Sequence, residues 1–242
     1  MKIFTVLLAL ILGLLTGFGQ AQQSDGPQPR YVAPGDASHP PADAISLFNG
    51  HDMSGWVTRD GKPVGCKVEK AVIVCTSGVG DMYTTQKFRS AQIHLEFSPP
   101  SMPDQHGQLR GNSGVYIQSH YEIQILDSYQ NPTYANGSLG AVYGQAAPLV
   151  NAARPPGEWQ TYDIIFHAPQ CDSAGAVTAK GTVTVLLNDV LVQDHVTIND
   201  TKGGCGLQPL MLQDHSGFKG APVTHMRFRN LWLRPLEDGP AK

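Results

Sequence analysis

Val115-Tyr116-Ile117-Gln118 and, after a short break, Tyr121-Glu122-Ile123-Gln124-Ile125 alternate apolar and polar side chains. A period of two marks a strand buried on one face, so Ile123 and Ile125 point one way and Glu122 and Gln124 the other. The same alternation recurs in both directions along the chain. Ile93-His94-Leu95-Glu96-Phe97 precedes this pair; runs over 159–166, 183–187 and 190–196 follow, and a last strand covers about 223–233. In that last strand Met226, Phe228 and Trp232 fall on one face, and His225, Arg227 and Arg229 on the other. Asn188-Asp189 separates two of the runs, and both residues tolerate the positive φ that a tight hairpin needs. No segment carries a helical period over three turns. Many short strands without helices mean an all-β sandwich or barrel, and the expectation taken forward is an antiparallel β-sandwich.

Composition agrees. The chain has 242 residues, 41% hydrophobic and only 15% charged, with 26 Gly and 18 Pro. That supplies one sizeable core and many turns, which suits one β domain better than several. The net charge is −3 and there is no basic run, so nucleic acid is not expected as a partner. Met1-Lys2, an apolar stretch from Ile3 to about Leu15, and small residues at Gly19 and Ala21 read as a signal peptide over 1–21. No Cys stands at the cleavage point, which argues against a lipoprotein. No second apolar run reaches about 18 residues, so no membrane contact is expected after cleavage. Residues 22–43 read as a Pro- and Gly-rich leader, 44–236 as the sandwich domain and 237–242 as a tail. A periplasmic or secreted location follows.

The four cysteines suit an oxidising compartment. Cys66–Glu69 and Val72–Cys75 read as strands around a Lys70-Ala71 turn, which sets Cys66 opposite Cys75. Directly opposite residues are close enough for a disulfide, so Cys66–Cys75 is expected, leaving Cys171–Cys205. No C-x-x-C pair exists to favour a metal site instead.

Three segments could carry chemistry. Glu122 and Gln124 project side by side, with Asn112 and Tyr116 on the preceding strand and Tyr121, Tyr129, Tyr134 and Tyr143 nearby. Rings beside polar groups suit sugars, whose C–H faces stack on aromatics. The same pattern also fits a plain solvated sheet face. Asp127 ends the strand and either turns into this cleft or caps the next turn. Gln213-Asp214-His215 offers an imidazole for acid–base work, or a loop His bonded to backbone. Arg227 and Arg229 would bind hydroxyls or an oxyanion on a concave face, and only water on a convex one. The chain has no G-x-S-x-G, P-loop, H-E-x-x-H or dinucleotide fingerprint. Gln124 stands where a two-carboxylate glucanase strand would carry its second acid.

Leu47-Phe48-Asn49-Gly50-His51-Asp52-Met53-Ser54-Gly55-Trp56, Asn112-Ser113-Gly114-Val115-Tyr116, Tyr121–Asp127, Gly157-Glu158-Trp159-Gln160-Thr161-Tyr162, Leu212-Gln213-Asp214-His215 and Arg227-Phe228-Arg229-Asn230 occur in order. Together, over about 45–235, they resemble the 3-keto-disaccharide hydrolase domain family. The resemblance implies a concanavalin A-like lectin/glucanase jelly roll. It also implies export and cleavage of glycosides already oxidised at carbon 3. A ketone there acidifies the carbon 2 hydrogen, so a base can form an enolate that expels the group on carbon 1. Water then adds. The chemistry needs a base and donors for the enolate, and no oxidised cofactor. Glu122 or His215 is the expected base, with Asp127 orienting a partner. Asn112, Gln124 and Arg229 are expected to hold the enolate and the sugar hydroxyls, and Tyr116, Tyr143 and Gln213 to complete the sugar site. A divalent metal such as Ca²⁺ is compatible with the Asn- and Asp-rich loops. The implied metabolic partner is a separate sugar 3-dehydrogenase. Loops over 98–110, 202–212 and 216–221 exceed the family pattern and are expected to rim the cleft. A lectin-like binding module and a conventional glycoside hydrolase are the rival functions.

Overall fold

A computed structural model describes residues 28–36, 39–200, 202–216 and 220–236. The expected signal peptide and the 237–242 tail lie outside the described residues. All strands belong to the unit that begins at Val32. They are β1 (Ile45–Ser46), β2 (Trp56–Val57), β3 (Lys67–Glu69), β4 (Val72–Thr76), β5 (Met82–Phe88), β6 (Ala91–Ser98), β7 (Asn112–Ile117) and β8 (Tyr121–Leu126). After these come β9 (Gln160–His167), β10 (Gln170–Cys171), β11 (Val177–Ala179), β12 (Thr182–Leu187), β13 (Val190–Thr197), β14 (Gln208–Leu212) and β15 (His225–Pro235). The only helical elements among the described residues are two 3₁₀ turns, Gly107–Leu109 and Ala135–Gly137.

Pairing is antiparallel throughout and makes two main sheets. One runs β13-β12-β9-β6-β15-β4-β3, with β1 also on β15, giving eight strands. The other runs β2-β5-β14-β7-β8, giving five. The inner faces meet in a core where Ile93, Leu95, Phe97, Tyr162, Ile164 and Phe166 of the larger sheet lie with Val115, Ile117, Ile123 and Ile125 of the smaller. Phe97 packs on Tyr162 with ring centroids 4.7 Å apart. Truncating such a ring to Ala costs about 3–5 kcal/mol. Two contacts tie the sheets together directly. Tyr121 of β8 packs on Phe166 of β9 at 5.8 Å, and the Tyr162 hydroxyl donates to the Gln124 carbonyl. This is an antiparallel sandwich, as the alternation led one to expect, with the jelly-roll form that the resemblance implied.

Two hairpins form as their sequences require. Asn188 and Asp189 adopt φ of 51° and 67°, and Lys70 and Ala71 adopt 51° and 61°. Positive φ at both central residues gives the primed turn that matches strand twist. The second turn sets Val68 opposite Ile73 and places the Cys66–Cys75 disulfide just beyond, with Cα atoms 4.5 Å apart. Cys171 pairs with Cys205 as expected.

The structure corrects the reading in two strands. Residues 208–212 form β14, a central strand, where the 202–212 stretch was expected to be a loop longer than the family pattern. The proline fits because β7 pairs β14 only at Met211 and Leu212, so no β7 backbone seeks a donor at 209. The β14–β5 register also shifts between Pro209 and Met211. In β15, Asn230 sits at φ 52° inside a bulge. One extra residue swaps the faces of everything after it. Met226 and Phe228 therefore face the core, but Leu231 and Leu233 follow them there. Trp232 turns outward and stacks on His94, with centroids 5.0 Å apart.

Candidate functional site

The outer face of the five-stranded sheet carries the polar residues of the β7–β8 hairpin. Tyr116 lies opposite Glu122, and Gly114 opposite Gln124. The Tyr116 phenol donates to Glu122 Oε2 at 2.7 Å and accepts from Gln213 Nε2 at 3.1 Å. Gln213 arrives there because it continues β14 along β7. Its N–H donates to the Gly114 carbonyl at 3.0 Å, and Ser113 Oγ donates to its carbonyl at 2.8 Å. Glycine at 114 makes this cluster possible. A Cβ there would stand 2.6 Å from Glu122 Oε1 and 2.8 Å from a Tyr116 ring carbon. The missing side chain is the space that the carboxylate and the ring occupy.

Burial pushes the Glu122 carboxyl up to about 7, against the Tyr116 hydrogen bond, which lowers it. Burial, then the bond to Glu122 and its charge, raise the Tyr116 phenol well above the usual tyrosine range. Near neutral pH the phenol therefore keeps its proton, while the carboxyl is divided between its two forms. A group poised in this way suits proton transfer.

The amides around Glu122 are oriented by one loop residue. Gln108, in the 3₁₀ turn before β7, accepts at Oε1 from Gln124 Nε2 at 3.0 Å and from Asn112 Nδ2 at 3.2 Å. Its own Nε2 donates to Thr133 Oγ1 at 3.0 Å and to the Gly137 carbonyl at 2.8 Å. Asn112 Nδ2 also donates to the Gln108 carbonyl at 2.9 Å, and Gln124 Nε2 to the Gly137 carbonyl at 3.2 Å. Carbonyls only accept, so these amide groups cannot be turned over. The consequence is that Asn112 Oδ1 and Gln124 Oε1 are buried with no donor from the protein; Gln213 Oε1 is likewise buried without one while its Nε2 donates to the Tyr116 hydroxyl. Buried acceptors are normally satisfied, so these oxygens call for protons from outside the chain.

The segment after β8 returns along it. Tyr143 N–H donates to the Glu122 carbonyl and Gln124 N–H to the Ala141 carbonyl, each at 3.0 Å. This brings up Tyr134 and Tyr143, whose hydroxyls bond at 2.6 Å and whose rings meet edge to face. Both remain partly exposed. Burial, then the bond to Tyr143, raises the Tyr134 phenol to about 12, with a smaller push from the Glu122 charge. Tyr121, by contrast, faces the core.

Glu122, Tyr116, Gln124, Asn112, Gln213 and Tyr143 thus gather as the sequence suggests. Three expected site residues stand elsewhere. Asp127 is a buried clasp: its Oδ1 accepts from Tyr129 N–H at 3.2 Å and its Oδ2 lies 3.2 Å from Arg110 Nη1. Burial raises its carboxyl, opposed by Arg110. His215 lines an adjoining cleft, shared with Asn112 and Gln213 of the Glu122 cluster and completed by Met82 and Phe228. Burial lowers its imidazole, while the Asp214 charge raises it. The Asp214 carboxylate itself accepts from Gly78 and Gly80 N–H at 2.8 and 2.6 Å. Arg229 is the clear correction. It lies on the outer face of the eight-stranded sheet, across the core from Glu122, with Nη2 2.6 Å from Glu96 Oε2 and its guanidinium 4.1 Å over Trp159. Strand parity gave its face correctly, but parity does not say which sheet a strand joins.

The sequence reading missed Gln108, and it missed the strands β5 and β14, which bring Tyr83 and Met211 onto the same sheet face as Tyr116. Gln108 sits in a loop with no periodic signal, although that loop was expected to rim the cleft. Neither β5 nor β14 was recognised as a strand.

Residues 43–234 match the model of the 3-keto-alpha-glucoside-1,2-lyase-like domain. The chain belongs to this family. Membership makes it a carbohydrate-active protein and agrees with the motif string in the sequence. A protein of Parabacteroides distasonis ATCC 8503, provisionally described as a glycosyl hydrolase, is 37% identical with a TM-score of 0.81, covering 94% of this chain and 100% of that one. A second, similarly described protein of that organism is 21% identical with a TM-score of 0.60, covering 81% of this chain and 94% of its own. The Crh5 transglycosylase in complex with NAG is 17% identical with a TM-score of 0.50, over 81% of this chain and 85% of that one. At those two lower identities the likeness is one of fold. No curated protein matches the chain.

Proposed function

We propose that this protein cleaves 3-keto-glycosides by elimination followed by hydration, with Glu122 as the base. The observation that carries the reading is the Glu122 carboxyl itself: pushed up to about 7, held by a phenol that stays protonated, with Gln124 rather than a second acid two residues on. One carboxylate is too few for acid–nucleophile glycosidase chemistry but enough for elimination.

Glu122 removes the proton on carbon 2, and the electrons delocalise into the carbon 3 ketone as an enolate. The enolate re-forms the ketone by expelling the carbon 1 oxygen, which leaves with a proton. Water then adds to carbon 1 of the enone and a proton returns to carbon 2. The net change is hydrolysis. Tyr116 holds Glu122 in place and is the nearest group to pass a proton on. Asn112, Gln124 and Gln213 lie beneath the sugar, and their buried amide oxygens would reach its hydroxyls through bridging water. As oriented they supply no donor to an enolate, which revises the role expected for Asn112 and Gln124. A divalent cation such as Ca²⁺ would suit oxygen ligands of this kind and could carry that negative charge. Cys66–Cys75, Cys171–Cys205 and the N-terminal apolar segment support export to the periplasm or beyond. The keto substrate would come from a separate sugar 3-dehydrogenase.

The test is to incubate purified protein with a 3-keto-disaccharide and with its unoxidised parent, each with and without chelator. Sugar release from the keto compound alone supports the reading, and its loss with chelator adds a cation. Release from the parent points to conventional hydrolysis. Binding of either without turnover points to a lectin-like module.

A further inference from the structure

Elimination leaves an enone, and cleavage is complete only when water adds to carbon 1. That water has to be at hand near Glu122 without standing where the sugar lies. The cleft that adjoins the Glu122 cluster at Asn112 and Gln213 offers such a place. Its other walls are largely apolar: Met82 from the five-stranded sheet, Met226 and Phe228 from the eight-stranded one, and Val79 from the segment before β5. The volume open to water in it is about 20 Å³. One water takes up roughly 10–15 Å³ of such space, so the cleft has room for one water and none for a sugar ring.

Asn112 and Gln213 each have one atom left to give to a molecule in this cleft. The Asn112 amide nitrogen is committed to the Gln108 carbonyl and to Gln108 Oε1, and the Gln213 nitrogen to the Tyr116 hydroxyl. Their oxygens are both buried with no donor from the protein, and Asn112 as a whole is only 2% exposed. Two neutral acceptors beside a space of this size suit a small neutral molecule with two protons to donate, which is water. The same residues lead on to the base. Gln213 Nε2 donates to the Tyr116 hydroxyl, which donates to Glu122 Oε2.

We propose that Asn112 and Gln213 hold the water that hydrates the enone, and that the cleft is its store. The proposal rests on the elimination reading above. The proton that Glu122 takes from carbon 2 departs with the carbon 1 oxygen, which restores the carboxylate. Glu122 then takes one proton from the stored water as the water oxygen bonds to carbon 1. The electrons of the carbon 1–carbon 2 double bond pass to the carbon 3 oxygen, and the resulting enolate recovers that proton from Glu122 at carbon 2. One water is consumed and no other reactant is needed.

The experiment follows two quantities during turnover of a 3-keto-disaccharide. Release of the leaving sugar reports elimination. The ratio of free enone, read by the ultraviolet absorbance of its conjugated carbonyl, to hydrated 3-keto sugar reports delivery of water. The proteins compared are the wild type, Val79→Ile and Asn112→Leu. The first variant adds a methylene to a side chain that lines the cleft, and the second keeps the bulk of Asn112 but removes the acceptor. The wild type is expected to release hydrated sugar with little enone. In both variants the enone ratio should rise about 10-fold or more, the effect of one lost hydrogen bond. Val79 is only partly buried and belongs to no hydrogen bond of the Glu122 cluster, so its variant keeps the test alive if Asn112→Leu folds poorly. A ratio that stays at the wild-type value in the folded variants overturns the water site and leaves the elimination reading standing, as does a wild type that itself releases mainly enone. A wild type that releases no leaving sugar overturns both.

Discussion

The two sheets carry polar networks on opposite outer faces, and the networks differ in one respect. On the eight-stranded sheet the groups answer one another. His94 Nδ1 meets Asp163 Oδ1 at 2.8 Å, His94 Nε2 meets Asn230 Nδ2 at 3.2 Å, and Glu96 takes Asn230 on one oxygen and Arg229 on the other. On the five-stranded sheet the donors are turned inward to Gln108, Gly137 and Tyr116, which leaves three buried amide oxygens with no donor and a carboxyl raised to about 7. A satisfied network holds a fold together, whereas acceptors with no protein donor are left to water or to a ligand. A His–Asp pair drew attention as acid–base equipment at Asp214-His215. The structure contains a better-formed one at His94–Asp163, and it lies in the satisfied network.

The largest expected effect breaks this contrast if it fails. Glu122→Gln should lower kcat on a 3-keto-disaccharide by about 10²–10⁴-fold, the usual worth of a general base. His94→Gln on the other face should leave kcat near wild type and lower only the melting temperature. Equal losses in the two variants would mean that the satisfied network also serves the reaction.

The next effect is thermodynamic. The folded-state pKa of Glu122, about 7, stands above the ordinary value of 4.5. The folded protein therefore binds this proton more tightly than the unfolded chain does. The stability associated with it is full below about pH 4.5 and is lost as pH rises through about 7. Glu122→Gln cannot titrate, so it should gain on wild type across that window, by on the order of 2 kcal/mol at pH 8. Urea melts at pH 5 and pH 8 measure the difference. No gain at pH 8 would mean that the carboxyl is not destabilised by burial.

A smaller effect concerns Tyr116. Its hydrogen bond lowers the Glu122 pKa, so Tyr116→Phe should shift the acidic limb of the kcat/KM–pH profile upward from about 7. Loss of one such bond should cost roughly 10-fold at neutral pH. A profile that stays in place would detach the phenol from the base. The smallest effect returns to the other face. The Glu96–Arg229 pair is partly exposed, so Glu96→Gln should cost about 1 kcal/mol or less, read by the same urea melts, with no change in kcat/KM.

The strands whose residues alternate without interruption were legible, and with them the sandwich, the face that carries Glu122 and Gln124, and both disulfides. What was not legible has physical causes. β14 was expected to be loop; its Pro209 is tolerated in a central strand only where a neighbouring ladder is missing, and that depends on partners far away in sequence. The bulge at Asn230 reversed the facing of Trp232 through one left-handed residue, a reversal that a period-two reading cannot foresee. Arg229 had the correct face on the wrong sheet, since alternation is local and sheet membership is not. Gln108 carried no signal, because its role is set by amides that meet only in the folded chain.

Gln108 also has a bearing on how such proteins diversify. One side chain, from a loop, accepts from the amides of two different strands and ties them together. The loop over 98–110 is therefore not an interchangeable part on a fixed platform. Exchange it for a relative's loop without that glutamine, and Asn112 and Gln124 would keep their backbone carbonyl acceptors but lose the side chain that joins them. Loop and hairpin must be inherited, or engineered, as a single unit.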